Sequence, residues 1–170
     1  MKQTALFLVT LCTLFACNNN KQADTIPLRV PEEQRALHLQ MGQELINLFH
    51  KDSVQWDVAM ALIDSAQSVF WYDPQLYVAE SYVQCMLGNK AASDSLLLYS
   101  RNLYDQRLRQ RQNVNDAVNR ASLTAFLYGL EAFHQEMDSL ATIETYKPDS
   151  LILQSLRDAL EFDPKLSDIF

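Results

Sequence analysis

From Leu37 onward the apolar residues return every three or four positions, a spacing that commits the chain to amphipathic helices. Leu37, Met41, Leu45, Leu48 and Phe49 share one helical face. After a break at Lys51-Asp52-Ser53, a second stripe runs through Ala59, Leu62, Ile63, Ala66, Val69 and Phe70, with Asp57, Asp64 and Ser68 opposite. Asp73-Pro74 stops that helix and starts another, because Asp suits the N-cap and Pro the first helical position. The third helix carries Val78, Ala79, Tyr82, Val83 and Met86 and closes at Gly88, which suits a left-handed position after the helix. A fourth begins near Lys90 and carries Leu96, Leu97, Ser100, Leu103, Tyr104 and Leu108. Asn113 to Asp116 interrupts it and offers the N-cap of a long fifth segment, expected to reach Tyr146 with a bend near Gly129. Pro148-Asp149-Ser150 opens a sixth helix that is expected to close at Asp163-Pro164. No stretch alternates with period two, and three glycines leave little material for tight hairpins. The expected fold is all-α, with about six helices.

A shift of 34 residues sets Leu62 on Leu96, Ile63 on Leu97, Val69 on Leu103, Phe70 on Tyr104, Leu48 on Tyr82 and Phe49 on Val83. Small residues fall on small ones, Ala59 on Ser93 and Ala66 on Ser100. This period, with Trp56-x2-Ala59-x3-Ile63-x2-Ala66 and the run Asp158 to Pro164, resembles the tetratricopeptide repeat over roughly residues 36–164. Gly88 stands where that family often has a glycine between its helices, although the Leu-Gly pair of the first helix is missing. The resemblance implies three antiparallel helical hairpins in a right-handed stack with a curved, peptide-binding surface. The alternative architecture is an irregular helical bundle.

The N-terminus carries a different signal. After Lys2 the chain is apolar from Ala5 to Ala16 apart from Thr10 and Thr13, too short to span a bilayer and suited to an export signal. Leu14-Phe15-Ala16-Cys17 resembles the bacterial lipobox: an aliphatic residue, a tolerant position, a small residue, then the lipidated cysteine. Cys12 does not fit, because bulky Leu11 precedes it. The resemblance implies that residues 1–16 are removed and that Cys17 becomes an acylated N-terminus. Two or more acyl chains give stable anchoring. Asn18 after the cysteine, rather than an acidic residue, implies retention at the outer membrane, facing the periplasm. Residues 17–31 are polar and aperiodic and are expected to form a flexible tether, leaving residues 32–170 as one helical domain.

A net charge of −7 disfavours nonspecific binding to nucleic acid or to anionic lipid, and no nucleic acid is expected as a partner. With Cys12 removed and Cys17 lipidated, Cys85 remains as a single thiol, expected to pack as a small hydrophobe. No glycine-rich phosphate loop, nucleophile elbow or zinc motif occurs. Glu131-x2-His134 has di-iron spacing but lacks its second pair, and with Asp138 it makes only an isolated polar cluster. No catalytic residue, metal ligand or cofactor is expected. Arg101, Arg107, Arg109, Arg111 and Arg120 form one basic region, balanced by Asp105 and Asp116. Arg107 and Arg111 are its candidate anion- or partner-binding residues. Tyr77, Tyr82 and Tyr128 are candidates to line a groove, or equally to fill the hairpin core. The expected function is that of a lipid-anchored, noncatalytic module that binds a protein or peptide and supports an envelope assembly. The alternative is a small helical inhibitor or immunity-type lipoprotein acting on one enzyme or toxin.

Overall fold

The structure, a computed structural model, describes residues 26–51 and 53–161, with side-chain surroundings as far as Asp158. Residues 1–25, including the signal segment and Cys17, and the expected stop at Asp163-Pro164 lie outside the described residues. Among the described residues the regular elements are all helical. They are α1 (Arg35–Phe49), α2 (Trp56–Phe70), α3 (Pro74–Met86), α4 (Lys90–Gln110), α5 (Val114–Tyr128), α6 (Leu130–Ala141) and α7 (Ser150–Glu161), with 3-10 turns at Glu32–Gln34 and Glu144–Asp149. From α1 to α7 each helix packs on its neighbours in the chain, α6 meeting α7 both directly and through the second 3-10 turn.

Cap chemistry sets several of the boundaries. The Asp73 side chain accepts from the backbone N–H of Gln75 at 3.0 Å, with Pro74 at the first helical position. Gly88, at φ 82°, ends α3: its N–H donates to the Cys85 carbonyl and that of Asn89 to the Gln84 carbonyl, a Schellman closure. Asn113 caps α5 by accepting from the Asp116 N–H at 3.1 Å.

The expected fifth segment departs from the sequence reading. At Gly129 the backbone takes φ 88° and ψ 173°, which leaves helical space altogether, so the expected bend is a break between α5 and α6. Gly129 donates to the Ala125 carbonyl and accepts from the Phe133 N–H, closing one helix and opening the next. The second half ends at Ala141 rather than Tyr146, and residues 144–149 form a 3-10 turn.

The apolar core has two parts. One gathers α1 to α4 around Leu45, Phe49, Ile63, Phe70, Leu97 and Tyr104; the other gathers α5 to α7 around Ala121, Phe133, Met137 and Leu153, and Phe126 touches both. Each buried large side chain contributes about 1.5–3 kcal/mol over an exposed one. At the 34-residue offset burial largely agrees: Ala59 and Ser93, Ile63 and Leu97, Ala66 and Ser100, and Phe70 and Tyr104 are all buried. Val69 and Leu103 differ, the first exposed and the second buried. The small residues bring α3 and α4 close. Ser81 and Ser93 share a hydrogen bond of 2.8 Å, and the Ser100 hydroxyl donates to the Pro74 carbonyl at 2.8 Å.

The packed part of the chain starts before Glu32. Ile26 is buried in the first core, and the Leu28 carbonyl accepts from the Arg107 guanidinium at 2.9 Å. Residues 26–31 therefore lie against the helices, and the segment expected as a free tether is shorter by that much.

Candidate functional site

The three candidate tyrosines have three different settings. Tyr82 is 6% exposed and sits in the core, edge-on to Phe49 at 5.5 Å and to Trp56 at 6.0 Å. It belongs to the first apolar core rather than to an exposed surface. Tyr77 is half-buried on α3, donates its hydroxyl to the Trp71 carbonyl at 2.8 Å and packs edge-on to Tyr99 at 4.6 Å. Burial and the neighbouring Tyr99 push its phenol up to about 12. Tyr128 is 56% exposed at the end of α5, with the Arg101 guanidinium 5.9 Å from its ring centre.

Tyr77 belongs to an aromatic patch that the sequence reading did not single out. Trp71, in the α2–α3 turn, is 50% exposed, and Tyr99, on α4, is 44% exposed. Tyr77 ties them together through its ring and its hydroxyl. Trp and Tyr present large contact area at low conformational cost and are enriched in protein interfaces.

The arginine region divides into two arrangements. Between α4, α5 and α6, Arg120 reaches Asp105 at 2.7 Å and Glu136 at 2.8 Å, and Arg101 lies 3.6 Å from each of those carboxylates. Thr124 donates to Glu136 at 2.5 Å and accepts from Arg101 at 3.2 Å. Burial alone would lower the Arg120 pKa, but its hydrogen bonds and charge pairing with Asp105 and Glu136 hold it above the usual value. Arg101 and Arg120 are thus neutralised inside the helix packing. Asp105 balances both arginines, and it does so between packed helices.

The second arrangement lies where residues 26–31 meet the helices. Arg107 donates to the Leu28 carbonyl, and its Nε stands 3.4 Å from Asp116. Burial pushes the Asp116 carboxyl above the usual range, against the pull of Arg107 and Arg111. Arg111 is half-buried just past α4, and its Nε, like Nε and Nη2 of Arg29, is shielded from solvent without a hydrogen-bond partner among the described residues. The Tyr72 hydroxyl is in the same condition, on a side chain only 5% exposed. Arg109 is exposed. Only spatial proximity reveals Arg29 and Tyr72, which stand far from the arginine run in sequence.

Glu131 and Asp138 are exposed, Asp138 pairs with Arg157 at 2.7 Å, and His134 leans on Phe133. Cys85 packs against the core, and burial pushes its thiol pKa up, away from the reactive thiolate. Among the described residues no three His, Cys, Asp or Glu side chains are grouped to hold a metal ion, and no helix is long and apolar enough to cross a membrane. A shallow, open depression does exist, between residues 112–115 and Thr145, Tyr146, Asp149 and Ile152, but it contains neither His134 nor Cys85. Compared with known protein families, curated proteins and solved structures, the chain finds no match.

Proposed function

We propose that this chain is a lipid-anchored, noncatalytic interaction module of the bacterial cell envelope, held through Cys17 at the outer membrane and facing the periplasm. The observation that carries this reading is Leu14-Phe15-Ala16-Cys17 at the end of a short apolar run, followed by Asn18. The helices then form three tetratricopeptide-like hairpins, α1–α2, α3–α4 and α5–α6. The agreement in burial between α2 and α4 at the 34-residue offset supports that arrangement.

The partner is a protein or peptide segment. What supports this is the set of exposed Trp71 and Tyr99 with half-buried Tyr77 between them, carried by α3, α4 and the turn before α3. A photo-crosslinking residue placed at Tyr99 in intact cells tests it. The expected result is one reproducible crosslinked protein that disappears when Trp71 is changed to Ala. Absence of any reproducible adduct at Tyr99, with the probe shown to be incorporated, would contradict it.

A further inference from the structure

The junction between residues 26–31 and the helices gathers more positive charge than the described carboxylates around it neutralise. Arg107 bridges the Leu28 carbonyl and Asp116. Arg29 follows Leu28 directly, and its guanidinium feels the like charges of Arg111 and Arg35. Arg35 has its own carboxylate, Glu32, at 2.6 Å. Asp73, which acts on both Tyr72 and Asp116, is engaged with His38 at 2.6 Å and with the cap of α3, so Arg29, Arg107 and Arg111 are left with Asp116, while the nearby Glu33 is exposed to solvent. Gathering like charges is unfavourable unless an anion joins them.

The polar hydrogens at this junction point the same way. Nε and Nη2 of Arg29, Nε of Arg111 and the Tyr72 hydroxyl are all hidden from solvent and lack a hydrogen-bond partner among the described residues. Tyr72 lies within electrostatic reach of Asp73 and of Arg107, so its hydroxyl belongs to the same locality. A shielded donor without an acceptor is unfavourable, and native structures rarely leave several together unless something accepts from them.

We propose that Arg29, Arg107, Arg111 and Tyr72 form a binding site for a phosphate group, set where the N-terminal arm joins the helical domain. A phosphate supplies several acceptor oxygens and up to two negative charges, which suits three guanidinium groups sharing one carboxylate better than a second carboxylate would. The same chemistry is offered by a soluble phosphate ester and by a phospholipid headgroup. None of its four ligating side chains belongs to the proposed partner-binding set, although the Trp71 ring packs edge-on to Tyr72 at 5.8 Å.

The test uses the full-length chain in an uncharged, phosphate-free detergent and follows its thermal unfolding midpoint. Binding to the folded state alone raises that midpoint with ligand concentration. Inorganic phosphate is compared with chloride at equal ionic strength in one arm. In a second arm, micelles doped with phosphatidylglycerol are compared with micelles doped with a phosphate-free glycolipid. A saturable rise with inorganic phosphate assigns the site to soluble phosphate groups, and a rise only with phosphatidylglycerol assigns it to headgroups. In either case Arg29→Gln and Arg111→Gln should each weaken half-saturation by about tenfold, as loss of one charge-assisted hydrogen bond implies. Arg109→Gln, exposed on α4, should leave it unchanged. Arg29 lies outside every helix, so its variant decides the matter even if Arg111→Gln loses its circular-dichroism signature. No rise in either arm, or Arg29→Gln responding as the unmodified chain does, overturns the proposal.

Discussion

Asp73 joins two helices through its two oxygens. Oδ1 caps α3 through the Gln75 N–H, and Oδ2 meets Nε2 of His38 on α1 at 2.6 Å, with both side chains largely buried. Asp73→Ala should therefore lose a cap, worth about 1 kcal/mol, and strand a buried imidazole, worth about 1–3 kcal/mol more. Denaturant unfolding should show a total loss of about 2–4 kcal/mol. Asp73→Asn, which still caps, should cost clearly less; equal losses would refute the division. Tyr77 offers a second check. Its folded-state value of about 12 lies above the ordinary 10, so the folded chain keeps the phenol protonated where the unfolded chain would ionise it. That contribution is complete below pH 10 and is lost as the pH rises toward 12. In an alkaline absorbance titration, Tyr77→Phe should remove a late-ionising tyrosine; loss from the early fraction would contradict the burial argument. The cap was legible in the sequence, since Asp-Pro combines two local preferences. The His38 contact was not, because it spans 35 positions and no periodicity encodes it.

At the scale of elements, the two described glycines of positive φ separate two kinds of helix end. Gly88 occupies the left-handed region that Asn also tolerates, whereas Gly129, at φ 88° and ψ 173°, occupies space that side chains essentially exclude. A Cβ at either position meets nothing within 4 Å, so the cost of substitution is backbone strain alone. Gly129→Ala should cost about 1–3 kcal/mol, and Gly88→Ala about 1 kcal/mol. Urea unfolding of both variants checks this order. Arg120 joins α5 to α4 and α6 through Asp105 and Glu136, and Glu136 is largely buried. Arg120→Met should destabilise the chain by about 1–3 kcal/mol, discounted for the partial exposure of the arginine. A double-mutant cycle with Glu136→Gln should recover much of that cost. Periodicity located the helices because burial of one face imposes it. It could not separate α5 from α6, since the break depends on ψ at a single glycine and apolar residues continue on both sides. The Arg101–Asp105 pair was visible as an i, i+4 spacing, but Glu136 joins it only through packing of the helices.

Across the whole molecule, composition and spacing made the all-α class legible, because seven helices among the described residues follow stripes or caps visible in the chain. Which tyrosine would be core and which surface was not legible: Tyr77 and Tyr82 lie on one helix, and a side chain's burial depends on what packs over it. The arm was misjudged for a related reason. Ile26, Leu28 and Val30 follow a polar stretch and make too short a pattern to register, yet Ile26 and Val30 pack on the first core and the Leu28 carbonyl meets Arg107. Under the proposed function, the arm joins the helices to a lipidated Cys17 only nine positions before Ile26, which keeps the domain within about 30 Å of the membrane anchor. The most direct test is labelling of growing cells with a palmitate analogue, followed by envelope fractionation, for the unmodified chain and for Cys17→Ser. The unmodified chain should carry the label and fractionate with the outer membrane, and the variant should lose both. Label retained on Cys17→Ser, or absent from the unmodified chain, would contradict an anchored module.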